Sequence, residues 1–137
     1  MQTTIFSAAE EEKNPAAAGA IRNHRLQRAE EYIHTHLRDE FSLFDLAEAT
    51  GTSPSTLLRT FNTHHGVPPM QYVKRLRLEA TRRTLRDADP NFHSVGRVAA
   101  EFGFRQMGRF SGDYKRAFGE LPSATLQRSR QSGPRGL

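Results

Sequence analysis

An internal repeat constrains the fold of this chain more than any other feature. The first copy reads Ala47-x3-Gly51 and then Phe61-x4-Gly66-x2-Pro69, and the second reads Ala99-x3-Gly103 and then Tyr114-x4-Gly119-x2-Pro122. The matched positions are separated by 52, 52, 53, 53 and 53 residues, so the copies stay in register with one inserted residue. This agreement predicts two copies of one small structural unit.

Each copy is typical of a short helix, a tight turn and a second helix. The first helix needs a small residue where the second crosses it, the turn needs a positive φ, and the second helix needs an aromatic anchor. The residues at these positions are Ala47, Gly51 and Phe61 in the first copy and Ala99, Gly103 and Tyr114 in the second. We therefore predict two helix-turn-helix units, in which the second helix enters a DNA major groove. The spacing alone also fits a repeat of helical hairpins with no role in DNA binding.

Helix start and stop signals divide the rest of the chain. Ser42 and Asp45 have the spacing of a capping box, and Phe41 and Leu46 have that of a hydrophobic staple. The pattern predicts helices over about 22–38, 42–51, 54–64, 69–86, 94–102 and 106–118, and a short turn of helix after Pro122. No segment has the alternation of a strand, so the predicted class is all-α, with about seven helices and two homeodomain-like helix-turn-helix subdomains joined by a long linker helix.

We predict five segments from these signals. Residues 1–20 contain few large apolar side chains and indicate a flexible tail or linker. Residues 128–137 are rich in Ser, Gly and Arg, which indicates a disordered tail. Between them we expect a first helix-turn-helix subdomain over 21–66, a linker helix over 67–87 and a second subdomain over 88–127.

The charge of the chain is unevenly distributed. Residues 1–50 hold 5 Lys/Arg and 9 Asp/Glu, a net −4, whereas residues 51–137 hold 15 and 6, a net +9. A basic C-terminal two-thirds is expected for a partner rich in phosphate, although ordinary solubility accounts for the same charge. Arg outnumbers Lys 17 to 3, and Arg binds phosphate and guanine edges bidentately.

Other classes of function find little support in the sequence. The chain has no Cys, which excludes disulfides and thiolate metal sites. No apolar run approaches 18 residues, so we expect no membrane span and a cytoplasmic, nucleoid-associated protein. The His pairs at 34/36 and 64/65 are not spaced to share a helix face, and no nucleophile–base pattern or nucleotide-binding motif is present. We therefore expect neither an enzyme nor a metal or other cofactor.

In the first copy, a helical wheel turns Leu57 and Phe61 inward and leaves a polar face outward. The predicted base-reading residues are Ser55, Leu58 and Arg59. Arg59 suits a guanine edge and Leu58 a thymine methyl, although a phosphate contact or a solvated face fits Arg59 equally well. We expect Thr56 and Asn62 to contact the DNA backbone.

The second copy has a basic outward face that two glycines interrupt. The wheel turns Phe110, Tyr114 and Phe118 inward. The predicted base-reading residues are Gln106, Gly108, Arg109 and Gly112, and the predicted phosphate contacts are Arg105, Ser111, Lys115 and Arg116. The glycines either let the backbone approach DNA closely or weaken the helix, at about 1 kcal/mol each relative to Ala. We therefore expect the first head to discriminate sequence more strongly.

The helix between the copies carries an excess of basic residues. They are Lys74, Arg75, Arg77, Arg82, Arg83 and Arg86, against the single acid Glu79. We expect Arg82 to contact phosphate. A helix of 18 residues spans about 27 Å, which approaches the ~34 Å between successive major-groove faces, and a bend in the DNA makes up the difference.

The motifs resemble the DNA-binding domain of the AraC/XylS family of bacterial transcription regulators. The similarity covers roughly residues 26–127. In the first half it rests on Phe41-Ser42-Leu43-x-Asp45-Leu46-Ala47, Gly51-x-Ser53-Pro54, Leu57-x-Arg59-x-Phe61 and Pro69-Met70-x-Tyr72-x2-Arg75-Leu76-x-Leu78. In the second half it rests on Val98-Ala99-x3-Gly103-Phe104, Phe110-x3-Tyr114-Lys115-x2-Phe118-Gly119 and Pro122-Ser123.

The resemblance implies a seven-helix fold that contacts promoter DNA in two adjacent major grooves, and often RNA polymerase. It also implies base reading by Met107, which the wheel turns inward, so the polar neighbour Gln106 is preferred here. The segment before the domain is about 20 residues, so we expect no small-molecule effector site and treat the chain as a fragment, a truncated product or a stand-alone regulator.

Two alternative functions remain. One is an interaction or dominant-negative module that docks on RNA polymerase or a related regulator, and the other is the targeting domain of a DNA-processing protein.

Overall fold

A computed structural model describes residues 15–132 of the chain, with side chains from 23 to 129. This part contains seven helices and no strand, which confirms the predicted all-α class. The helices are α1 (Pro15–Thr35), α2 (Leu43–Thr50), α3 (Pro54–His65), α4 (Pro69–Asp87), α5 (Val95–Glu101), α6 (Met107–Phe118) and α7 (Pro122–Ser132). No helix in this range is long and apolar enough to cross a membrane.

The described residues form two compact units. Residues 15–35 and 41–70 make up the first, and residues 36–40 and 71–132 make up the second. The short segment 36–40 belongs to the second unit because the Arg77 guanidinium of α4 holds it. Its Nε donates to the Leu37 carbonyl over 3.0 Å and its Nη2 donates to the Asp39 carbonyl over 2.7 Å.

Helix α1 differs from its prediction at both ends. It begins at Pro15 and not near residue 22, so residues 15–20 are helical; residues 1–14 lie outside the described residues. Pro is favoured at the first position of a helix and Ala is the strongest helix former, which accounts for the early start. The helix ends at Thr35 and not near Arg38, and a turn follows in which the Asp39 N–H donates to the His36 carbonyl over 2.9 Å. The Leu37 and Asp39 carbonyls accept from Arg77 and not from a continued helix.

In the first unit, the predicted capping box is confirmed. The Asp45 N–H donates to Ser42 Oγ over 3.1 Å, and the Ser42 N–H donates to Asp45 Oδ2 over 2.9 Å, which completes the capping box. Gly51 ends α2 with a left-handed φ of 67°, as the repeat required. Ser53 then caps the start of α3, so the turn between the two helices is bounded by Gly51 and Ser53.

The core of the second unit is built from α4, α5 and α6. Its buried residues are Leu78, Ala80, Leu85, Val98, Ala99, Phe102, Phe110 and Tyr114. Helix α7 is also longer than predicted: it continues to Ser132, so residues 128–132 are helical and not disordered, while 133–137 lie outside the described residues. The Arg128 guanidinium binds the Glu120 carboxylate, and Ser129 Oγ donates to the Ala88 carbonyl over 2.6 Å, which stabilises this last turn.

Candidate nucleic-acid interface

Helix α3 separates its buried and exposed residues clearly. Leu57 and Phe61 are 2% and 0% exposed, as the wheel predicted. On the outer face Ser55, Arg59 and Asn62 are exposed, and Leu58 is 36% exposed. The helix therefore presents one hydroxyl, one guanidinium, one amide and one apolar side chain on its outer face.

The start of α3 is held by its own capping residue. The Thr56 N–H donates to Ser53 Oγ over 3.1 Å, and Ser53 Oγ donates to Thr56 Oγ1 over 2.9 Å. The Ser55 hydroxyl lies 3.4 Å from Ser53 Oγ and remains exposed. Pro54 occupies the first position, which fixes φ for entry into the helix. The first turn of α3 is therefore held by hydrogen bonds from its own capping residue.

The far end of α3 is tied to α1. His65 Nε2 lies 2.6 Å from Glu30 Oε2, and the Phe61 and His65 rings pack with centroids 5.4 Å apart. Asn62 Nδ2 donates to the Leu58 carbonyl over 3.0 Å. Arg59 makes no hydrogen bond or ion pair with the other residues that the structure describes. The one cation on the outer face of α3 is thus available to a ligand.

Helix α6, like α3, has one buried face and one exposed face. Phe110 and Tyr114 are 1% and 0% exposed, and Phe118 is half-buried. Burial raises the pKa of the Tyr114 hydroxyl. Opposite them, Arg109 and Lys115 are exposed, and Arg109 has no polar partner among the described residues.

Gln106 and Met107 correct one prediction of the wheel. Met107 is not turned inward; its side chain is 36% exposed. Its angular position does match that of Tyr114, but it is the first residue of α6 and so lies at the end of the helix, away from the core formed by Phe110 and Tyr114. Gln106 occupies the capping position and makes no cap hydrogen bond through its side chain, so both residues are exposed at the start of the helix.

The two glycines of α6 have different surroundings. A Cβ placed on Gly108 has no neighbour within 4 Å, whereas a Cβ on Gly112 lies 3.7 Å from Arg116 Nη1. The Arg116 side chain thus folds back over Gly112. Its guanidinium also binds the carboxylate of Asp113.

Several predicted phosphate contacts already have partners within the second unit. Arg105 Nη2 lies 3.0 Å from Glu40 Oε1, but both side chains are more than three-quarters exposed, so the pair is weak. The Arg82 guanidinium stacks over the Phe118 ring at 4.7 Å, and its Nε is buried without a hydrogen-bond partner among the described residues. Ser111 is half-buried. The roles predicted for these side chains stay predictions.

Asp113 on α6 is an acidic residue of the site that the sequence did not predict. The Asp113 side chain is 10% exposed, and its Oδ2 accepts from Lys74 Nζ on α4 over 2.6 Å. The Lys74 ammonium, and then the Arg116 guanidinium, hold the pKa of Asp113 below its usual range against the effect of burial. The i,i+3 spacing of Asp113 and Arg116 was visible in the sequence, whereas Lys74 is brought to the site only by tertiary packing.

Known proteins resemble the chain over most of the described range. A family model described as a helix-turn-helix domain matches residues 46–128. The XylDLEGF operon transcriptional activator of Pseudomonas putida is 37% identical over 109 residues, which are 80% of this chain and 34% of that protein. The chain therefore spans about a third of the length of this curated relative.

Solved structures agree with this similarity. A probable AraC family transcriptional regulator from Rhodopseudomonas palustris CGA009 superposes with a TM-score of 0.70 and 35% identity, over 77% of this chain and 96% of that one. The DNA-binding domain of AdpA, solved in complex with a target DNA, superposes with a TM-score of 0.71 and 28% identity, over 82% and 98%.

Proposed function

Because the chain belongs to the AraC/XylS family of DNA-binding, helix-turn-helix transcription regulators, we propose that it binds promoter DNA sequence-specifically through α3 and α6. Each of these helices is the second helix of its unit, the position from which helix-turn-helix proteins enter the major groove. The chain then acts by binding DNA and not by catalysis. It is located in the cytoplasm, in association with the nucleoid.

One observation carries the proposal: each second helix buries its aromatic face and exposes an arginine that has no polar partner among the residues that the structure describes. These arginines are Arg59 on α3 and Arg109 on α6. A free guanidinium on a rigid helix suits guanine, because its planar fork matches the O6 and N7 acceptors. Arg105, by contrast, is paired with Glu40 within the second unit.

The remaining exposed side chains complete the proposed interface. We assign base contacts to the residues near the start and middle of each helix, and phosphate contacts to those at the edges. The proposed base-reading residues are Ser55, Leu58, Arg59, Gln106, Met107, Gly108, Arg109 and Gly112. The proposed phosphate contacts are Thr56, Asn62, Arg82, Arg105, Ser111, Lys115 and Arg116.

Two successive major grooves of one promoter would accept the two helices. The name of the relative from Pseudomonas putida, an operon transcriptional activator, supports promoter DNA as the site. We propose RNA polymerase as a further partner. The net charge of +9 over residues 51–137 supports binding to the phosphate backbone.

A gel-shift competition at about 50 and 200 mM salt tests the proposal. Genomic fragments compete against bulk DNA for the chain. We expect a small set of fragments to outcompete bulk DNA at both salt concentrations, while the affinity for all DNA falls as salt rises. If no fragment outcompetes bulk DNA, the chain has no specific site and the proposed function is wrong.

A further inference from the structure

The two second helices superimpose residue by residue in the repeat. Both have 12 residues, and both bounds are offset by 53: Pro54 matches Met107 and His65 matches Phe118. The buried pairs follow the same offset, since Leu57 matches Phe110 and Phe61 matches Tyr114. This register pairs Arg59 of α3 with Gly112 of α6. The second unit thus lacks a side chain at the position where the first exposes its free arginine.

Arg116 fills the position that Gly112 leaves open. Its Nη1 and Nη2 lie 3.7 and 4.0 Å from a Cβ placed on Gly112, so its guanidinium lies one helical turn before its own backbone. Helical side chains lean toward the N-terminus, which favours this path. The Arg116 side chain is 75% exposed there, so the guanidinium is still accessible to a ligand.

Asp113 fixes the guanidinium in this place. One carboxylate oxygen accepts from Arg116 Nη2, and the other accepts from Lys74 Nζ over 2.6 Å. Because Asp113 is only 10% exposed and Lys74 comes from α4, the carboxylate is anchored to the body of the second unit. This differs from Glu40 and Arg105, whose side chains are both largely exposed.

We propose that Asp113 is a positioning residue that holds the Arg116 guanidinium where α3 carries Arg59, so that Arg116 contacts base edges and not only phosphate. The inference rests on the proposed DNA-binding function. A guanidinium that is already held in one orientation loses less conformational freedom when it binds a guanine edge. The glycine at 112 is then not a gap in the interface, since the next turn supplies the functional group.

The inference is tested by measuring base preference, position by position, with duplexes that carry single substitutions in the preferred site. We expect Arg116→Ala to reduce discrimination at one base-pair position about fivefold or more, and Arg116→Lys to do the same although it keeps the charge. Asp113→Asn should relax the preference at the same position. The double variant Asp113→Asn/Arg116→Ala should relax it no further than Arg116→Ala alone. Lys74→Gln should relax this position less than Asp113→Asn does, because the Asp113–Arg116 pair remains although its anchor on α4 is lost.

Two controls separate positioning from general effects. Asp87→Asn removes one negative charge from an exposed site on α4 and should leave the preference unchanged. Thermal unfolding followed by circular dichroism identifies variants that do not fold. Since Arg116 is exposed, Arg116→Lys tests the inference even if Asp113→Asn unfolds.

The results that overturn the inference differ from those that overturn the proposed function. If Arg116→Ala and Arg116→Lys weaken all duplexes equally, or if Arg116→Lys behaves as the parent chain does, Arg116 is a phosphate contact and the inference alone is wrong. If Lys74→Gln relaxes the preference as much as Asp113→Asn does, Asp113 acts only by tying α6 to α4, and the inference alone is wrong. If the parent chain prefers no sequence, both the proposed function and the inference are wrong.

Discussion

The hydroxyl of Tyr114 lies 2.7 Å from Thr125 Oγ1 in the interior of the second unit, so helix α6 is held from its inner side by α7. The Thr125 hydroxyl donates its proton to Glu120, and the Tyr114 hydroxyl must therefore be the donor to Thr125. Both residues are buried, at 0% and 1% exposed. The polar chain from Tyr114 to Glu120 thus fixes the helix that exposes Arg109.

Replacement of Tyr114 by Phe tests this connection. The substitution leaves the buried Thr125 oxygen without its donor, and we expect the free energy of unfolding to fall by about 1–2 kcal/mol. Urea denaturation measures the change. Thr125→Val should cost a similar amount, and the double variant should cost less than the sum, because the two groups share one bond. The exposed Thr63→Val is the matched control. Additive effects would show that the two hydroxyls act independently.

The stability of the second unit should depend on pH through Glu120. Hydrogen bonds from Arg128 and then Thr125 lower the pKa of Glu120 from 4.5 to about 2. Because the folded pKa is depressed, the stabilisation is fully present above pH 4.5 and is lost as the pH falls toward 2. We expect the thermal midpoint of the parent chain to drop more steeply over this window than that of Glu120→Gln.

A second carboxylate provides the control for this pH dependence. Glu101 lies 3.9 Å from Arg38 with its side chain 48% exposed, so Glu101→Gln should change the slope little. Parallel pH curves for the parent chain and Glu120→Gln would contradict the assignment of the low pKa to the contacts with Arg128 and Thr125.

Gly108→Ala should separate the stability of α6 from its affinity for DNA. An added Cβ meets open space, so we expect the free energy of unfolding to rise by up to about 1 kcal/mol from helix propensity. If the backbone approaches DNA at this position, the same methyl group lowers affinity for the preferred duplex. Chemical denaturation and DNA titration on one sample measure both effects. An affinity that stays equal or rises would show that no close approach occurs at Gly108.

A glycine in a turn provides the opposite control. Gly119 ends α6 with a φ of 78°, which an L side chain rarely adopts. Gly119→Ala should therefore lower the free energy of unfolding by about 1–2 kcal/mol. If Gly108→Ala and Gly119→Ala both raise the free energy of unfolding, the positive φ of Gly119 does not determine the effect of the substitution.

Local signals in the sequence were sufficient for much of the fold. Ser42 and Asp45 predicted a capping box because both partners lie within one helical turn. The repeat glycines at 51, 66, 103 and 119 all have positive φ, and Leu57, Phe61, Phe110 and Tyr114 are all buried. Each of these features depends on a residue's own conformation or on helical periodicity, which a single sequence records.

Tertiary contacts account for the features that the sequence did not predict. The last turn of α7 depends on Arg128 and Ser129, whose partners lie 8 and 41 residues away. Met107 fits the buried stripe by angle, but the core ends before it. The contact between Lys74 and Asp113 joins two helices, and no local spacing indicates it.

Base preference measured for Arg59→Ala and Arg109→Ala shows whether both second helices read base pairs. We expect each variant to lose about 1–3 kcal/mol of discrimination at its own group of base pairs, whereas the exposed Arg83→Ala on α4 leaves the preference unchanged. If both variants keep the preference of the parent chain and only bind all sequences more weakly, α3 and α6 do not read bases through these arginines.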